Sequence, residues 1–470
     1  MKRFKTLKVT SHTDFVGKGS TFVALQGQNE SGCKFIETAI EKSATKIVVS
    51  KDAQLTSKIV KLVEQSAELK LVENPRIELA KLSAAAYKFP ASKLKIVATT
   101  GTKGKTTTTF LLNQIFSEAG FKTGMITGVY NQILTEKYEP NLTTPNSDYL
   151  HRFFFECVKK GVEYIFMEAS AHAFTLNRLY GIEFVGAIFT NLDLEHLEFY
   201  KDMNEYFQAK LEILNHLKPG APIIVNIDNL WGRKLFEQSA KCVSFSSANR
   251  ANYRIDSIKN LKNKLSFLLE GPNLKEKVES NLVGNFNAYN IGMASALANE
   301  LGIPNKRLQA NSFIPGRMET LKLFNGATAV VDYAHNPSSY EAVLPTLKSL
   351  TKKLIVVFGA GGSRDASRRP TMGKIASEWA DIIILTSDNP RNEDPNKILD
   401  DIKSGVPTER HNKIQIELDR EKAIQLAVSL SDKNSLVAVL GKGPDEYQII
   451  GEKKNYFSDK ECLLAYLHKF

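Results

Sequence analysis

An α/β fold of three domains is predicted by three observations. Strand-length apolar runs alternate with helical stretches, a glycine-rich loop joins the strand LKIVATT to the helix TTTTFLLNQIFSEAG, and beyond residue 313 the alternation begins again. The expected architecture is an N-terminal α/β domain over 1–92, a central parallel sheet carrying the loop over 93–313, and a Rossmann-like domain over 314–470. A chain of 470 residues is too long for one core, which agrees with this division.

Taken in order, TFVALQG reads as a strand, FIETAIEKSA as a helix and TKIVVS as a strand, followed by a polar, helix-rich stretch that ends at KFPAS. In the central segment EYIFMEAS, VGAIFTNL and APIIVNID are strands between helical stretches, the signature of a largely parallel, helix-covered sheet. After IPGRMET, the runs ATAVVDYAHN, KLIVVFGAGG, DIIILTSDNP and SLVAVLGKG build a second sheet of the same kind.

Composition restricts the class. Hydrophobic residues make up 43% and charged residues 24%, ordinary usage for a globular protein. No apolar run approaches the ~18 residues of a membrane span, and MKRFKTLKVTSHTD lacks a signal-peptide core. Cys33, Cys157, Cys242 and Cys462 are scattered without metal spacing, so a reduced, cytoplasmic protein is expected. The net charge of +11 suits acidic ligands such as nucleotides; because the Lys and Arg form no basic run, nucleic acid is not an expected partner.

The loop Gly101-Thr102-Lys103-Gly104-Lys105-Thr106-Thr107 carries the first chemistry. Backbone amides freed by the two glycines, together with a helix start, form a nest for phosphate. Lys105 adds a point charge for β- and γ-oxygens, and Thr106 a hydroxyl for Mg²⁺, the division of labour in a P-loop. The match is partial, since the full pattern has glycine where Thr99 stands. Glu168 and Asn191 follow at strand ends, His196 lies in TNLDLEHLEFY and Lys210 in EYFQAKLEIL. Behind such a loop, Glu168 and His196 are expected ligands for a Mg²⁺ that bridges phosphate to a second substrate.

TTGTKGKTTT, LTTP, EASAHAF, FTNL, LVGNFNAYN, IPGRME, VDYAHNP, FGAGGSRD, SDNPRNEDP and GKGPDEYQ occur in an order and spacing that resembles the Mur ligase family across the whole chain. The resemblance implies an ATP-dependent, amide-forming ligase of peptidoglycan synthesis that passes through an acyl phosphate. It implies Lys105, Glu168, His196 and Lys210 as catalytic residues, with Mg²⁺ on Thr106, Glu168, His196 and a CO₂-derived carbamate of Lys210. Asn287, Asn290, Arg317, Asp332 and His335 would complete the ATP site. Ser11, Gln28, Thr143, Thr144, Ser170 and Arg178 would hold a UDP-N-acetylmuramoyl dipeptide. Arg364, Asp388, Asn389, Pro390, Arg391, Gly441 and Asp445 would receive meso-diaminopimelate, and a monomer is expected. Arg391 is central, because a guanidinium can clamp the carboxylate that distinguishes diaminopimelate from lysine.

The chain departs from the family pattern at Glu195 to Tyr200, where the histidine at 196 persists, at His12 beside Ser11, at Leu176, and at Pro444-Asp445, where the family has His-Glu. L-lysine is therefore an alternative amino acid. Two other functions are a folylpolyglutamate synthetase, which begins near its P-loop and lacks DNPR, and a non-catalytic ATP-binding scaffold, which has no need of Lys105, Glu168, His196 and Lys210 together. A P-loop GTPase or kinase should show N-K-x-D or a second acidic metal motif, and neither is present.

Overall fold

The computed structural model describes residues 1–27, 30–140, 142–195, 199–261, 264–303, 309–310 and 314–467. Two compact units emerge, one of Met1–Arg254, Glu270–Leu274 and Asn290–Lys306, the other of Ile255–Leu269, Lys275–Tyr289 and Arg307–Phe470. Among the described residues, no helix is long and apolar enough to cross a membrane.

The first unit opens with β1 (Val9–Thr10), β2 (Thr21–Val23), α1 (Ile36–Glu41), β3 (Lys46–Ser50), α2 (Ser57–Ser66), β4 (Glu68–Val72) and α3 (Pro75–Ala86). Its four strands pair in sequence order, all parallel. Side chains on a strand alternate between faces, so Ile47 and Val49 meet Ile36, Ala39 and Val63 on one side while Val48 meets Val9 and Leu79 on the other. β4 falls inside the stretch expected to be helical: ELKLV alternates polar and apolar residues over five positions, too short a run to stand out beside α2.

The central sheet follows, with β5 (Lys95–Thr100), α4 (Lys105–Glu118), β6 (Thr123–Ile126), β7 (Asn131–Ile133), β8 (Glu136–Tyr138), α5 (Ser147–Lys159), β9 (Tyr164–Glu168), α6 (Ala171–Thr175), β10 (Gly186–Phe189), α7 (Met203–Leu211), β11 (Ile223–Asn226), α8 (Leu230–Phe236) and β12 (Cys242–Ser246). In space the strands run β12-β11-β10-β5-β9-β6-β7-β8. They are parallel from β12 to β6 and antiparallel through β7 and β8. The loops after β10, β5, β9 and β6 therefore leave one edge of the sheet side by side, the edge where parallel α/β sheets bind ligands. Along the chain come β13 (Tyr253–Leu261), β14 (Lys264–Gly271), β15 (Leu274–Ser280), α9 (Asn285–Glu300) and β16 (Gln309–Ala310).

The core of this unit includes a titratable imidazole. His151 of α5 is 2% exposed, both ring nitrogens lack a hydrogen-bond partner, and burial lowers its pKa to about 4. A folded-state pKa below the unfolded value near 6.5 means that the unfolded chain takes up the proton first, so stability is full above pH 6.5 and falls towards pH 4. At pH 5 this one group should remove about 2 kcal/mol relative to pH 7. Urea titrations of wild type and His151→Leu at both pH values test it: the variant should lose less stability on acidification, and equal losses would remove His151 as the cause.

The second unit contains β17 (Glu319–Lys322), β18 (Thr328–Asp332), α10 (Pro337–Ser349), β19 (Lys353–Phe358), α11 (Arg368–Trp379), β20 (Ile382–Leu385), α12 (Pro395–Ser404), β21 (Ile414–Ile416), α13 (Arg420–Ser429), β22 (Ser435–Leu440), β23 (Tyr447–Ile450), β24 (Lys453–Tyr456) and α14 (Asp459–Leu464). Six strands form one sheet in the order β17-β18-β22-β19-β20-β21, parallel except at the β17 edge. Leu354, Val356 and Phe358 point to a core shared with α10, α11 and α12, while Ile355 and Val357 point to the opposite core with α13 and α14. Helices on both faces make this a three-layer, doubly wound arrangement. The loops after the neighbouring strands β18, β22, β19 and β20 emerge together and carry Asp332, Gly441, Gly359 and Asp388.

Candidate active site

In the first unit the site is built on the loop between β5 and α4. Gly101 adopts φ +144°, and a Cβ there would lie 1.9 Å from Thr190 Oγ1, so neither conformation nor space admits another residue. Thr102 N donates to Asn191 O at 2.9 Å, Lys103 N to Asn191 Oδ1 at 2.9 Å, and Thr190 Oγ1 to Lys103 O at 2.6 Å. Thr190 and Asn191, both just beyond β10, thus mould the loop from the neighbouring strand end. Gly104, at φ +83°, passes so close to α9 that a Cβ would meet Asn290 Oδ1 at 2.4 Å. Asn290 also accepts from Thr108 Oγ1 at 3.4 Å, which assigns it a part in shaping the loop.

Two lysines converge on one carbonyl. Lys105 Nζ donates to Gly101 O and Thr102 O, each at 2.9 Å, and Lys210 Nζ donates to the same Gly101 O at 2.8 Å. Lys105 is the first residue of α4 and half-buried, not a freely exposed loop residue. Lys210 is 1% exposed; burial, reinforced by the neighbouring Lys105 charge, holds its ammonium well below the usual lysine range. Its inward position follows from α7, where Tyr206, Phe207 and Lys210 fall on one buried face.

Glu168, at the end of β9, is buried and accepts from Thr106 Oγ1 at 2.9 Å and from Gly128 N at 3.1 Å. A carboxylate and a hydroxyl in contact are hard oxygen donors of the kind Mg²⁺ takes. Among the described residues, no group of three or more His, Cys, Asp or Glu could hold a metal ion by itself. His196 lies outside the described residues, as does Gln28. Thr107 is buried within α4.

A second polar cluster in this unit gathers residues from the strand-end loops and the N-terminal sheet. Thr144 Oγ1 donates to Glu168 O at 2.9 Å and accepts from Ser170 N at 3.0 Å, while Arg178 Nη1 donates to Thr144 O at 2.9 Å. Thr143 is half-buried beside Gly128. Burial and the like charge of Arg76 lower the Arg178 pKa to about 10, so two guanidinium groups face one region. Ser11 is held by Asp148, which accepts from its N at 2.8 Å and its Oγ at 3.2 Å. Sequence reading passed over Asp148, Arg76 and Thr190.

The second unit assembles its candidates at the carboxyl ends of its sheet. Asp332 accepts from Met318 N and Ala334 N, each at 2.8 Å; burial raises its pKa, against the opposing pull of Arg317. Arg317 stacks over Tyr333 at 4.5 Å, and His335 packs on the same ring at 4.7 Å. Asn287, at the start of α9, donates from Nδ2 to Val283 O at 2.8 Å.

The Asp388–Arg391 turn follows β20. Arg391, at φ +52°, donates from Nη1 to Gly362 O at 2.7 Å, and Gly362 fits because a Cβ would strike Pro390 O at 1.9 Å. Arg364 is exposed near the same glycines, its Cγ 3.7 Å from a Cβ built at Gly361. Asn389 Oδ1 accepts from Ile449 N at 2.8 Å. Asp388 is buried, its carboxylate lying against Gly441 and 3.7 Å from Lys442 Nζ. Burial raises the Asp445 pKa. Arg364, Asp388, Asn389, Pro390, Arg391, Gly441 and Asp445 therefore share one edge of the second sheet. Lys442, not anticipated, lies among them.

The chain is similar to known proteins over most of its length. The family description "Mur ligase middle domain" matches residues 99–298, and "Mur ligase, glutamate ligase domain" matches 316–443. The UDP-N-acetylmuramoyl-L-alanyl-D-glutamate–2,6-diaminopimelate ligase of Clostridium tetani (strain Massachusetts / E88) is 37% identical over 456 residues, which cover 95% of this chain and 92% of the relative. The enzyme of that name from Aquifex aeolicus (strain VF5) is 36% identical over 471 residues, 98% and 93% of the two chains. A solved structure of a protein so named aligns with a TM-score of 0.65 at 28% identity, covering 98% of this chain and 94% of the other.

Proposed function

Because the chain belongs to the Mur ligase family, we propose that it is an ATP-dependent ligase that adds meso-2,6-diaminopimelate to UDP-N-acetylmuramoyl-L-alanyl-D-glutamate. The observation that carries this reading is the phosphate loop with Lys105 and Lys210 on one carbonyl, in a chain whose second unit presents an arginine-bearing turn at the ligand edge of its sheet. Under this reading 1–92 is the UDP-substrate domain, 93–313 the ATP domain and 314–470 the amino-acid domain, and the protein acts as a cytoplasmic monomer.

The reaction joins a carboxylate to an amine. The substrate carboxylate attacks the γ-phosphorus, ADP leaves, and the amine displaces phosphate from the acyl phosphate through a tetrahedral adduct. Negative charge accumulates at each stage, so placed cations and amides are the main catalytic resource. The loop amides and Lys105 bind phosphate oxygens. Thr106 and Glu168 would hold Mg²⁺, with His196 and a carbamate on Lys210 completing the metal set; the metal supplies charge neutralisation. Arg178, with Thr144 and Ser170 around it, orients the anionic dipeptide substrate. Asn287, Asn290, Arg317, Asp332 and His335 are assigned to ATP, and the Asp388–Arg391 turn with Arg364, Gly441 and Asp445 to the amino acid.

The test is to incubate the protein with ATP, Mg²⁺ and the UDP-muramoyl dipeptide, offer diaminopimelate and lysine together, and read the product mass. Diaminopimelate product alone is expected. Arg391→Ala should lose about 30- to 300-fold in diaminopimelate selectivity, the magnitude of one charged bidentate contact, while its KM for ATP stays unchanged. Incorporation of lysine by the wild type would overturn the amino-acid assignment and leave the ligase reading standing.

A further inference from the structure

Lys442 occupies the turn after β22, and its side chain is fully buried. Its Nζ lies 3.4 Å from Asn389 Oδ1, 3.7 Å from Asp388 Oδ1 and 5.5 Å from the centre of the Tyr447 ring. These separations exceed those of a tight ammonium–carboxylate pair, which is ~2.8 Å. Burial pushes the Lys442 ammonium below the usual lysine range, with Asp388 pulling the other way. Arg420, Asp459 and Asp445 are the other charged groups that act on it.

The surroundings explain why a cation is kept there. A Cβ at Gly441 would come within 2.7 Å of Asp388 Oδ2, so the glycine, at φ +111°, lets the carboxylate close on the turn. The buried Arg420 acts on Asp388 too, but its hydrogen bonds go elsewhere: Nε and Nη2 bond Asp459 at 2.7 and 2.8 Å, Nη2 also bonds Leu440 O at 3.0 Å, and Nη1 has no hydrogen-bond partner. Among the described residues, Lys442 is the cation that bonds Asn389 and pairs with Asp388. Asn389 Oδ1 also accepts from Ile449 N, and Arg391 is tied to the same hairpin through its N to Ile449 O at 3.1 Å and through its O from Gly451 N at 2.8 Å.

We propose that Lys442 is a positioning residue for amino-acid selection: its ammonium holds Asp388 and Asn389, fixing the turn on which Arg391 is presented. The proposal rests on the ligase reading above. It places Lys442 at no reacting atom. Its loss should weaken capture of the amino acid and leave phosphate chemistry alone.

The experiment compares wild type with Lys442→Met, which keeps length and removes charge, and with Lys442→Gln should the first variant fail to fold. Calorimetric binding of diaminopimelate and steady-state kinetics are both recorded. Either variant should raise the diaminopimelate KM and Kd about 10- to 100-fold and admit lysine more readily, with kcat and the KM values for ATP and the UDP-muramoyl dipeptide within about threefold. Asp388→Asn combined with Lys442→Met should do less harm than the product of the single effects, because the two charges act on each other. An unchanged diaminopimelate KM, an equal rise for all three substrates, or strictly multiplicative effects would overturn the proposal. A wild type that neither binds nor adds diaminopimelate would sink the amino-acid reading together with it, whereas selective loss in the variants alone supports both.

Discussion

Lys210→Ala is expected to lose at least about a thousandfold in ligase turnover, to recover partly with formate or acetate, and Lys210→Arg to be as inactive as the alanine variant. Burial is the cause. A lysine 1% exposed, beside the Lys105 charge, is disfavoured as an ammonium, with Glu195 pulling the other way, and its neutral form is a nucleophile. Its lone pair can attack the carbon of CO₂: the N–C bond forms, one C=O π pair moves to oxygen, and a proton leaves the nitrogen for water. What was a like-charge neighbour of Lys105 becomes an anion, so repulsion turns to attraction and an oxygen ligand is created. Arginine cannot follow this course, since its guanidinium stays protonated. Protein equilibrated with ¹³C-bicarbonate should show one carbamate resonance that is absent from Lys210→Ala. An active Lys210→Arg enzyme, or a wild type with no such resonance, would sink the assignment.

Much of the site was legible because its chemistry is local in sequence. The loop from Gly101 to Thr107 and the turn from Asp388 to Arg391 are short segments whose glycine, proline and charged residues specify the backbone and mark the candidate ligand groups. The buried parallel strands were equally plain, as their apolar runs must be covered on both faces. β13 and β15 were not read as strands, since YRIDSIKNL and LKEKVES are largely polar and alternate buried with solvated positions. The residues that hold others in place were harder still. Asp148 and Lys442 look like surface residues, and only the fold turns them inward. Lys210 did leave a signal: it lies three and four residues after the aromatic pair Phe207 and Tyr206, on the apolar side of its helix, where an ordinary lysine would not be put.

Lys105→Met is expected to lower turnover by about 10²- to 10³-fold, the scale of a few kcal/mol of lost transition-state stabilisation. Lys105 opens α4, where the first amides and the helix dipole favour an anion, and under the ligase reading its charge would add the component that grows as the γ-phosphoryl group moves. Its ammonium also satisfies Gly101 O and Thr102 O, so the substitution should reduce stability modestly, by about 1 kcal/mol, and thermal unfolding must be recorded beside the kinetics. The link to Lys210 supplies a separate readout. Both lysines meet at Gly101 O, so removing the Lys105 charge takes one neighbouring cation away from a carbamate at Lys210. The ¹³C resonance of Lys105→Met should therefore need more bicarbonate to reach the wild-type intensity. A folded Lys105→Met protein with near-normal turnover would remove the loop from the chemistry, whereas slow turnover with an unshifted bicarbonate dependence would confine Lys105 to phosphate alone.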